Sequence, residues 1–158
     1  MGTASEKRMI MTDNKPANIF IQGPVAAAFI GESIQKHQSR TAIGGHSIFL
    51  GQVRADDIEG KKVTAIEFTA YEEMALEQMQ AIREDIFARY DLNCMHVYHS
   101  LGRVATGEIC MFVFTSAAHR KPATEACAEL VERIKAELPV WGKELFGDDS
   151  HQWKKNRP

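Results

Sequence analysis

Residues 117–144 read AAHRKPATEACAELVERIKAELPVWGKE and contain the amphipathic helix around which we expect the domain to fold. Pro122 is tolerated in a first helical turn, and a helix cannot continue through Pro139, so the predicted helix spans 122–138. Apolar residues recur within it at three- and four-residue steps, a spacing typical of one buried face. These residues are Cys127, Leu130, Val131, Ile134 and Leu138.

The segments around this helix alternate irregularly between strand and helix patterns. Predicted strands cover 18–23, 44–54, 63–70, 93–104 and 108–117, and further helices cover 24–37 and 71–90. A turn over 55–62 is expected to join the second and third strands in a hairpin. In the helix over 71–90, the periodic apolar residues are Met74, Ala75, Met79, Ile82 and Ile86. Without a regular strand–helix–strand repeat, the pattern predicts an α+β fold with a mainly antiparallel sheet.

Composition limits the possible organisation and partners. The 158 residues fit one domain, so we expect a flexible lead-in over 1–18 and a single domain over 19–158. The net charge of −2 argues against a broad basic surface that binds nucleic acid. Any anion binding must therefore come from a local cluster of basic residues. No apolar stretch is long enough to span a membrane, and no leader pattern opens the chain. Three cysteines without a CxxC motif suit a reducing compartment, which predicts a cytoplasmic protein.

Positive charge gathers at both ends of the helix over 122–138. His119 and Arg120 precede its N-terminus, where free backbone N–H groups and a guanidinium can bind phosphate or carboxylate. Lys135 lies at the margin of the buried face, where desolvation and neighbouring cations would lower its pKa and suit it to proton transfer. The alternatives are a solvated basic loop for the first pair and a lysine whose stem covers apolar surface for Lys135. Arg54 lies at the end of a predicted strand, and its side chain could point into one cleft with the cations of this helix.

The sequence does not predict a metal site. His96 and His99 are three residues apart on a strand and face opposite sides, so they cannot share an ion. Cys94 and His96 share a face and Cys110 could lie opposite them, yet this set does not complete a known zinc pattern. Cys110 and Cys127 are interpreted as small core residues rather than reactive thiolates.

The sequence contains five motifs that occur together in one order. They are GQVR at 51–54, EFTAYEEMA at 67–75, HSLGRVATGE at 99–108, SAAHRKPATEAC at 116–127 and ERIKAELPVWGKE at 132–144. In this order they resemble the large catalytic subunit of molybdopterin synthase, and the resemblance covers about residues 44–153.

The resemblance implies a sulfurtransferase with an α/β-hammerhead-type fold and an added antiparallel subdomain. Such an enzyme converts cyclic pyranopterin monophosphate into molybdopterin, taking sulfur from a thiocarboxylate on the C-terminal Gly-Gly tail of a small ubiquitin-like subunit. It implies a central homodimer within a heterotetramer and no cofactor or metal.

The same resemblance assigns site residues by position. Substrate binding falls on Arg54, with the neighbouring Gln52 and Val53, and on the pair His119 and Arg120. The catalytic lysine falls on Lys135. The family's second lysine falls on Gly142, so we expect Lys143 to replace it, with Glu144 beside it, because glycine lets the backbone adjust. All of these cations are expected to share one pocket.

Two alternative functions remain open at this point. The same cluster would also suit a non-catalytic module that docks an anionic or acidic peptide tail. A sulfurtransferase that carries sulfur on one of its own cysteines is the other alternative.

Overall fold

The computed structural model of the protein describes residues 17–155, which contain three helices and eight strands. The helices are α1 Ala27–His37, α2 Glu72–Arg89 and α3 Arg120–Glu137. The strands are β1 Phe20–Gln22, β2 Gly45–Gln52, β3 Asp57–Ile58, β4 Lys61–Ala70, β5 Cys94–Ala105, β6 Ile109–Ala117, β7 Val140–Phe146 and β8 His151–Trp153. The predicted α+β class with a mainly antiparallel sheet is confirmed. Of the predicted lead-in, residues 1–16 lie outside the described residues.

The eight strands form one sheet in the order β2-β6-β5-β4-β7-β8, with β1 added parallel to β5 and β3 added to β4. Strand β5 connects two parts of this sheet. Its first half, Cys94–His99, pairs with β6, and its last residues, Gly102–Ala105, pair with β4. Gly102 has a φ of 80°, a conformation that side chains with a Cβ rarely adopt, and it lies where the pairing changes.

The three helices cover both faces of the β2–β6–β5 part of the sheet. Helices α2 and α3 pack with Met95, Val97 and Val113 on one face. Helix α1 packs with Phe112 and Phe114 on the other. All five apolar residues predicted for the buried face of α3 are buried. In α2 the prediction is confirmed for Ala75, Met79, Ile82 and Ile86, whereas Met74 is 51% exposed.

The predicted hairpin between the second and third strands is wrong. Strand β2 pairs with β6, where Ile48 lies opposite Phe114, and β4 pairs with β5 and β7. The residues predicted as a turn instead contain the short strand β3, which pairs with the start of β4. Apolar side chains on both faces of β2 gave no information about which strand is its neighbour.

Two helix starts and two strands also differ from the sequence prediction. Helix α3 begins at Arg120 because Pro122 falls in the first turn, where backbone N–H groups need no partner within the helix. Helix α1 begins at Ala27 because Val25 N–H donates to the carbonyl of Ile109 and holds the preceding residues extended. Strands β7 and β8 were not predicted, because their short polar sequences lack clear alternation.

Candidate active site

An open cavity of about 920 Å³ lies where the C-terminal end of α3 meets the β4–β7–β8 part of the sheet. The end of β2 and the loop after it form the opposite wall. The lining includes aromatic and cationic side chains, together with aliphatic residues and the carboxylates of Asp56, Asp57 and Glu144. The aromatic ones are Phe49, Phe68, Trp141 and Trp153, and the cationic ones are Arg54, Lys135, Lys154 and Lys155.

Lys135 extends into this cavity from the last turn of α3. The side chain opens to the cavity, yet the surrounding walls remove enough water to lower the pKa of its ammonium group. The positive charge of Lys154 lowers the pKa further, and that of Arg54 does so to a smaller extent. Cys110 and Glu132 act in the opposite direction. The direction of this pKa shift agrees with the prediction from the sequence, and desolvation is its main cause.

Arg54 lies on the opposite wall, two residues beyond the end of β2. Its Nη2 donates to Asp56 Oδ2 over 3.4 Å, and its side chain is 72% exposed. An exposed pair of this kind is weak, so the guanidinium can turn towards an anion in the cavity. Gln52 lines the cavity as well. Val53 is 2% exposed and belongs to the core.

The backbone around Gly142 lines the cavity, but Lys143 points elsewhere. Gly142 and Glu144 line it, whereas Lys143 Nζ lies 3.6 Å from Glu67 Oε1 on the neighbouring strand β4. Successive side chains of a strand point to opposite faces, so Lys143 and Gly142 cannot face the same way. The expectation that Lys143 reaches the pocket is not met. A Cβ on residue 142 would lie 3.0 Å from Ile66 Cγ2, so glycine is the residue that fits here without displacing the Ile66 side chain.

Lys154 occupies the neighbourhood in which the second lysine was expected. Its backbone N–H donates to the carbonyl of Gly142 over 2.8 Å, and it lines the cavity. Among neighbouring charges, its own is the largest contributor to the lowered pKa of Lys135. Sequence reasoning missed Lys154 because its segment is polar apart from Trp153 and has no apolar alternation that predicts a strand. The signal available was the position of Trp153, an aromatic residue directly before two lysines.

Two further titratable residues form the inner wall of the cavity. His99 is 9% exposed, and its Nδ1 donates to the carbonyl of Ser100 over 2.8 Å, which leaves Nε2 as an acceptor. Burial lowers the pKa of His99, so this ring is neutral at pH 7. Cys110 packs against the core, as expected, and also lines the cavity, and burial raises the pKa of its thiol. Cys127 lies in the core.

His119 and Arg120 lie at the other end of α3. They line a separate depression of about 480 Å³ together with Lys121 and Thr124. At about 1.5 Å per residue, about 22 Å of helix axis separates Arg120 from Lys135. Within one chain, therefore, the predicted pocket divides into two sites. Arg54 and Lys135 share the large cavity, and the His119–Arg120 pair does not reach it.

Fold and site together define an α+β domain with a cationic cavity. Ammonium and guanidinium groups around a partly desolvated space suit the binding of a phosphorylated ligand and the stabilisation of negative charge that develops in a reaction. Within residues 17–155, none of the helices has the length and apolar character needed to cross a membrane.

The chain belongs to the MoaE protein family, whose sequence profile matches residues 26–137. It is 44% identical over 116 residues to the molybdopterin synthase catalytic subunit of Drosophila willistoni, covering 72% of this chain and 31% of that relative. It is 37% identical over 115 residues to the protein of the same name in Pyrococcus abyssi, covering 73% of this chain and 76% of the relative. The chain thus spans about a third of the Drosophila relative and most of the archaeal one.

Two solved structures share the fold. The molybdopterin synthase of Staphylococcus aureus matches with a TM-score of 0.73 and 24% identity, covering 87% of this chain and 96% of that chain. A complex of subunits 1 and 2 of the molybdopterin-converting factor of Helicobacter pylori matches with a TM-score of 0.75 and 22% identity, covering 87% and 90%. At this level of identity, the likeness concerns the fold.

Proposed function

We propose that this protein is the catalytic subunit of a molybdopterin synthase. It would transfer sulfur from the thiocarboxylate of a small ubiquitin-like subunit to cyclic pyranopterin monophosphate, forming the dithiolene of molybdopterin. The observation that carries the proposal is the shared cavity of Arg54, Lys135 and Lys154, since two of these residues were assigned to the site from the sequence and the third lies beside Gly142.

Cations that line the cavity support the binding of a phosphorylated pterin. Arg54 presents an exposed guanidinium at the cavity, and Lys154 adds an ammonium group. A hydrogen bond to a charged group contributes about 1.5–3 kcal/mol, so two such contacts contribute about 3–6 kcal/mol to the binding of an anion. Phe68 and Trp141 provide the aromatic surface for a flat ring.

Lys135 has the properties of the central catalytic residue. The attacking sulfur must be held close to the pterin side chain, and the negative charge that develops must be stabilised. A lysine with a lowered pKa gives up its proton more readily near neutral pH than an ordinary lysine, so it can act as general acid and as electrostatic stabiliser. Because the sulfur arrives already activated as a thiocarboxylate, the chemistry requires no resident metal or redox cofactor.

Lys154 takes the second lysine's role in this proposal in place of Lys143. The Lys143 ammonium group is instead held 3.6 Å from Glu67 Oε1 and 5.9 Å from the centroid of the Trp153 ring. Lys154 is close enough to Lys135 to influence its pKa, and its main chain is fixed to Gly142. The second positive charge is therefore supplied from the segment after β8 rather than from β7.

The small subunit delivers its C-terminal Gly-Gly tail into the cavity in this proposal. A tail of two glycines has no side chains to accommodate, so the open cavity of about 920 Å³ has room for it. Trp141 and Trp153, which are 52% and 59% exposed, form the rim against which a partner can pack. The three cysteines are free thiols, which supports a reducing, cytoplasmic location.

A second copy of the chain supplies His119 and Arg120 to the site if the molecule forms the expected homodimer. The pair lies too far from Lys135 to serve its own chain's cavity, whereas a symmetric dimer can place it beside the cavity of the partner subunit. Two such sites, each bound by one small subunit, would make the heterotetramer that the resemblance implies.

The proposal is tested by reconstitution from purified components. The protein is mixed with thiocarboxylated small subunit and cyclic pyranopterin monophosphate, and molybdopterin is measured after oxidation to its fluorescent derivative. We expect product to form, with the small subunit returned as its carboxylate. Binding of the small subunit without any product would instead favour the non-catalytic docking module.

The cysteine-based alternative is tested in the same assay. Cys110 is the cysteine that lines the cavity, but its raised pKa leaves the thiol protonated and poorly nucleophilic at neutral pH. We expect Cys110→Ser to retain activity, with Cys127→Ser as the matched control from the core. Complete loss of activity in Cys110→Ser alone, with its fold intact, would favour sulfur transfer through a cysteine.

A further inference from the structure

Three potential metal ligands meet on the face of the sheet opposite α3. His37 is the last residue of α1, and Cys94 and His96 lie at the start of β5. Their ligand atoms all lie within 4.8 Å of one another, and within residues 17–155 they form the one group of three such residues. The sequence pointed to Cys94 and His96 but paired them with Cys110, which lines the large cavity instead.

The two imidazole rings are oriented as they would be around an ion. His37 Nδ1 donates to the carbonyl of Ser33 over 2.7 Å, so the proton of a neutral ring lies on Nδ1 and the Nε2 lone pair is free to coordinate. His37 Nε2 and His96 Nε2 face each other over 3.0 Å. An ion bound about 2.0–2.1 Å from each nitrogen fits between them. A hydrogen bond from His37 to a backbone carbonyl is the usual support of a metal-binding histidine.

Two guanidinium groups lie near the sulfur of Cys94. Arg40 Nη1 donates to Cys94 Sγ over 2.5 Å, and the guanidinium of Arg83 is close enough to interact with the same sulfur electrostatically. Metal ions bind cysteine as the thiolate, so binding at this site releases the thiol proton. A thiolate that accepts an N–H bond keeps further lone pairs for a metal ion.

We propose that His37, Cys94 and His96 bind a thiophilic transition-metal ion with filled d orbitals, Zn²⁺ or Cu⁺. Two imidazoles and one thiolate match the ligand preferences of both ions, and hard cations such as Mg²⁺ are excluded by the same ligand set. Three protein ligands leave a fourth position for water or complete a trigonal Cu⁺ site. The two guanidinium groups repel a divalent ion more strongly than a monovalent one, so they affect which of the two binds more tightly.

The expected consequence of binding is structural. His37 belongs to α1, and its two partners belong to β5, so an ion at this site joins the helix to the sheet. The His37 ring also contacts Phe114, with ring centroids 4.8 Å apart, inside the apolar cluster that holds α1. The site is separate from the large cavity, and the proposed sulfur transfer does not depend on it.

The experiment is metal titration of the full-length chain after removal of any histidine tag. The reduced protein is stripped with a chelator and titrated with Co²⁺ as the spectroscopic substitute for Zn²⁺, and separately with Cu⁺ against a competing chelator. We expect saturation at one ion per chain and a thiolate-to-cobalt absorption band that Zn²⁺ abolishes. The ion that binds with the higher affinity, Zn²⁺ or Cu⁺, is assigned to the site.

Variants separate this site from nonspecific binding. Cys94→Ser should lose the absorption band, and both Cys94→Ser and His37→Gln should weaken binding by more than about 100-fold, since even outer partners of metal ligands account for 10–100-fold. Cys127→Ser and His151→Gln are the matched controls and should bind as the parent does. Metal should raise the Tm of the parent and the controls but not that of Cys94→Ser. The proposal is overturned if the parent shows no saturable binding, or if Cys94→Ser and His37→Gln keep its affinity.

Discussion

The chemical character of single residues in the cavity depends on what surrounds them. Lys135 is an exposed residue by its surface area, yet the cavity walls remove some water from its ammonium group and Lys154 adds a second positive charge nearby, and both lower its pKa. His99 beside it stays neutral, and the pKa of the Cys110 thiol rises, through the same loss of water. Loss of water in this one space thus lowers the pKa of the two groups that ionise as cations and raises the pKa of the thiol, which ionises as an anion.

A pH prediction follows at the residue scale. Because the pKa of Lys135 lies below its ordinary value, its proton is lost at lower pH, and the rate of product formation should fall on the alkaline side earlier than for an ordinary lysine. Lys154→Met removes the neighbouring positive charge, so the alkaline limb should move to higher pH. The rate is measured against pH for parent and variant, with Lys143→Met as control. An unmoved limb in Lys154→Met would contradict the electrostatic coupling.

At the scale of the elements, we propose that the second lysine of the site comes from the segment after β8, whereas the sequence pointed to Lys143 in β7. Lys154→Ala should lower the rate of sulfur transfer by about 10²-fold, in the range of one lost acid–base or charge-stabilising group. Lys143→Ala should leave the rate within about twofold, since its loss removes one partly exposed ion pair. Both variants are compared in single-turnover reactions. Equal losses in both, or a larger loss in Lys143→Ala, would contradict the assignment.

The elements also show what sequence reasoning could and could not predict. The buried face of α3 could be predicted from the sequence because its five apolar residues recur at the three- and four-residue steps of a helix. The partner of β2 did not follow, because strand pairing depends on residues about 60 positions away, such as Phe114 opposite Ile48. Lys135 and Arg54 were placed in one cavity through the family resemblance. Lys154 was missed because its position depends on the β7–β8 pairing.

At the scale of the whole molecule, the two ends of α3 belong to different sites, and the N-terminal end can contribute to the cavity of a second copy of the chain. If His119 and Arg120 complete the partner's cavity, a chain carrying His119→Ala and Arg120→Ala should complement a chain carrying Lys135→Ala. Each variant alone has two defective sites, whereas the mixed dimer of a symmetric pair has one intact site. Random pairing of equal amounts should restore about a quarter of parental activity. Mixed dimers that form, as seen by native mass spectrometry, and yet stay inactive would contradict the shared site.

The central claim is that sulfur transfer takes place in the cavity around Lys135. The most direct measurement is the single-turnover rate of molybdopterin formation by Lys135→Ala with saturating thiocarboxylated small subunit. Lys36→Ala, an exposed lysine of α1 on the other face of the sheet, is the control. The account predicts a fall of about 10²–10³-fold for Lys135→Ala, with small-subunit binding and Tm unchanged, and a parental rate for the control. A parental rate for Lys135→Ala would contradict it.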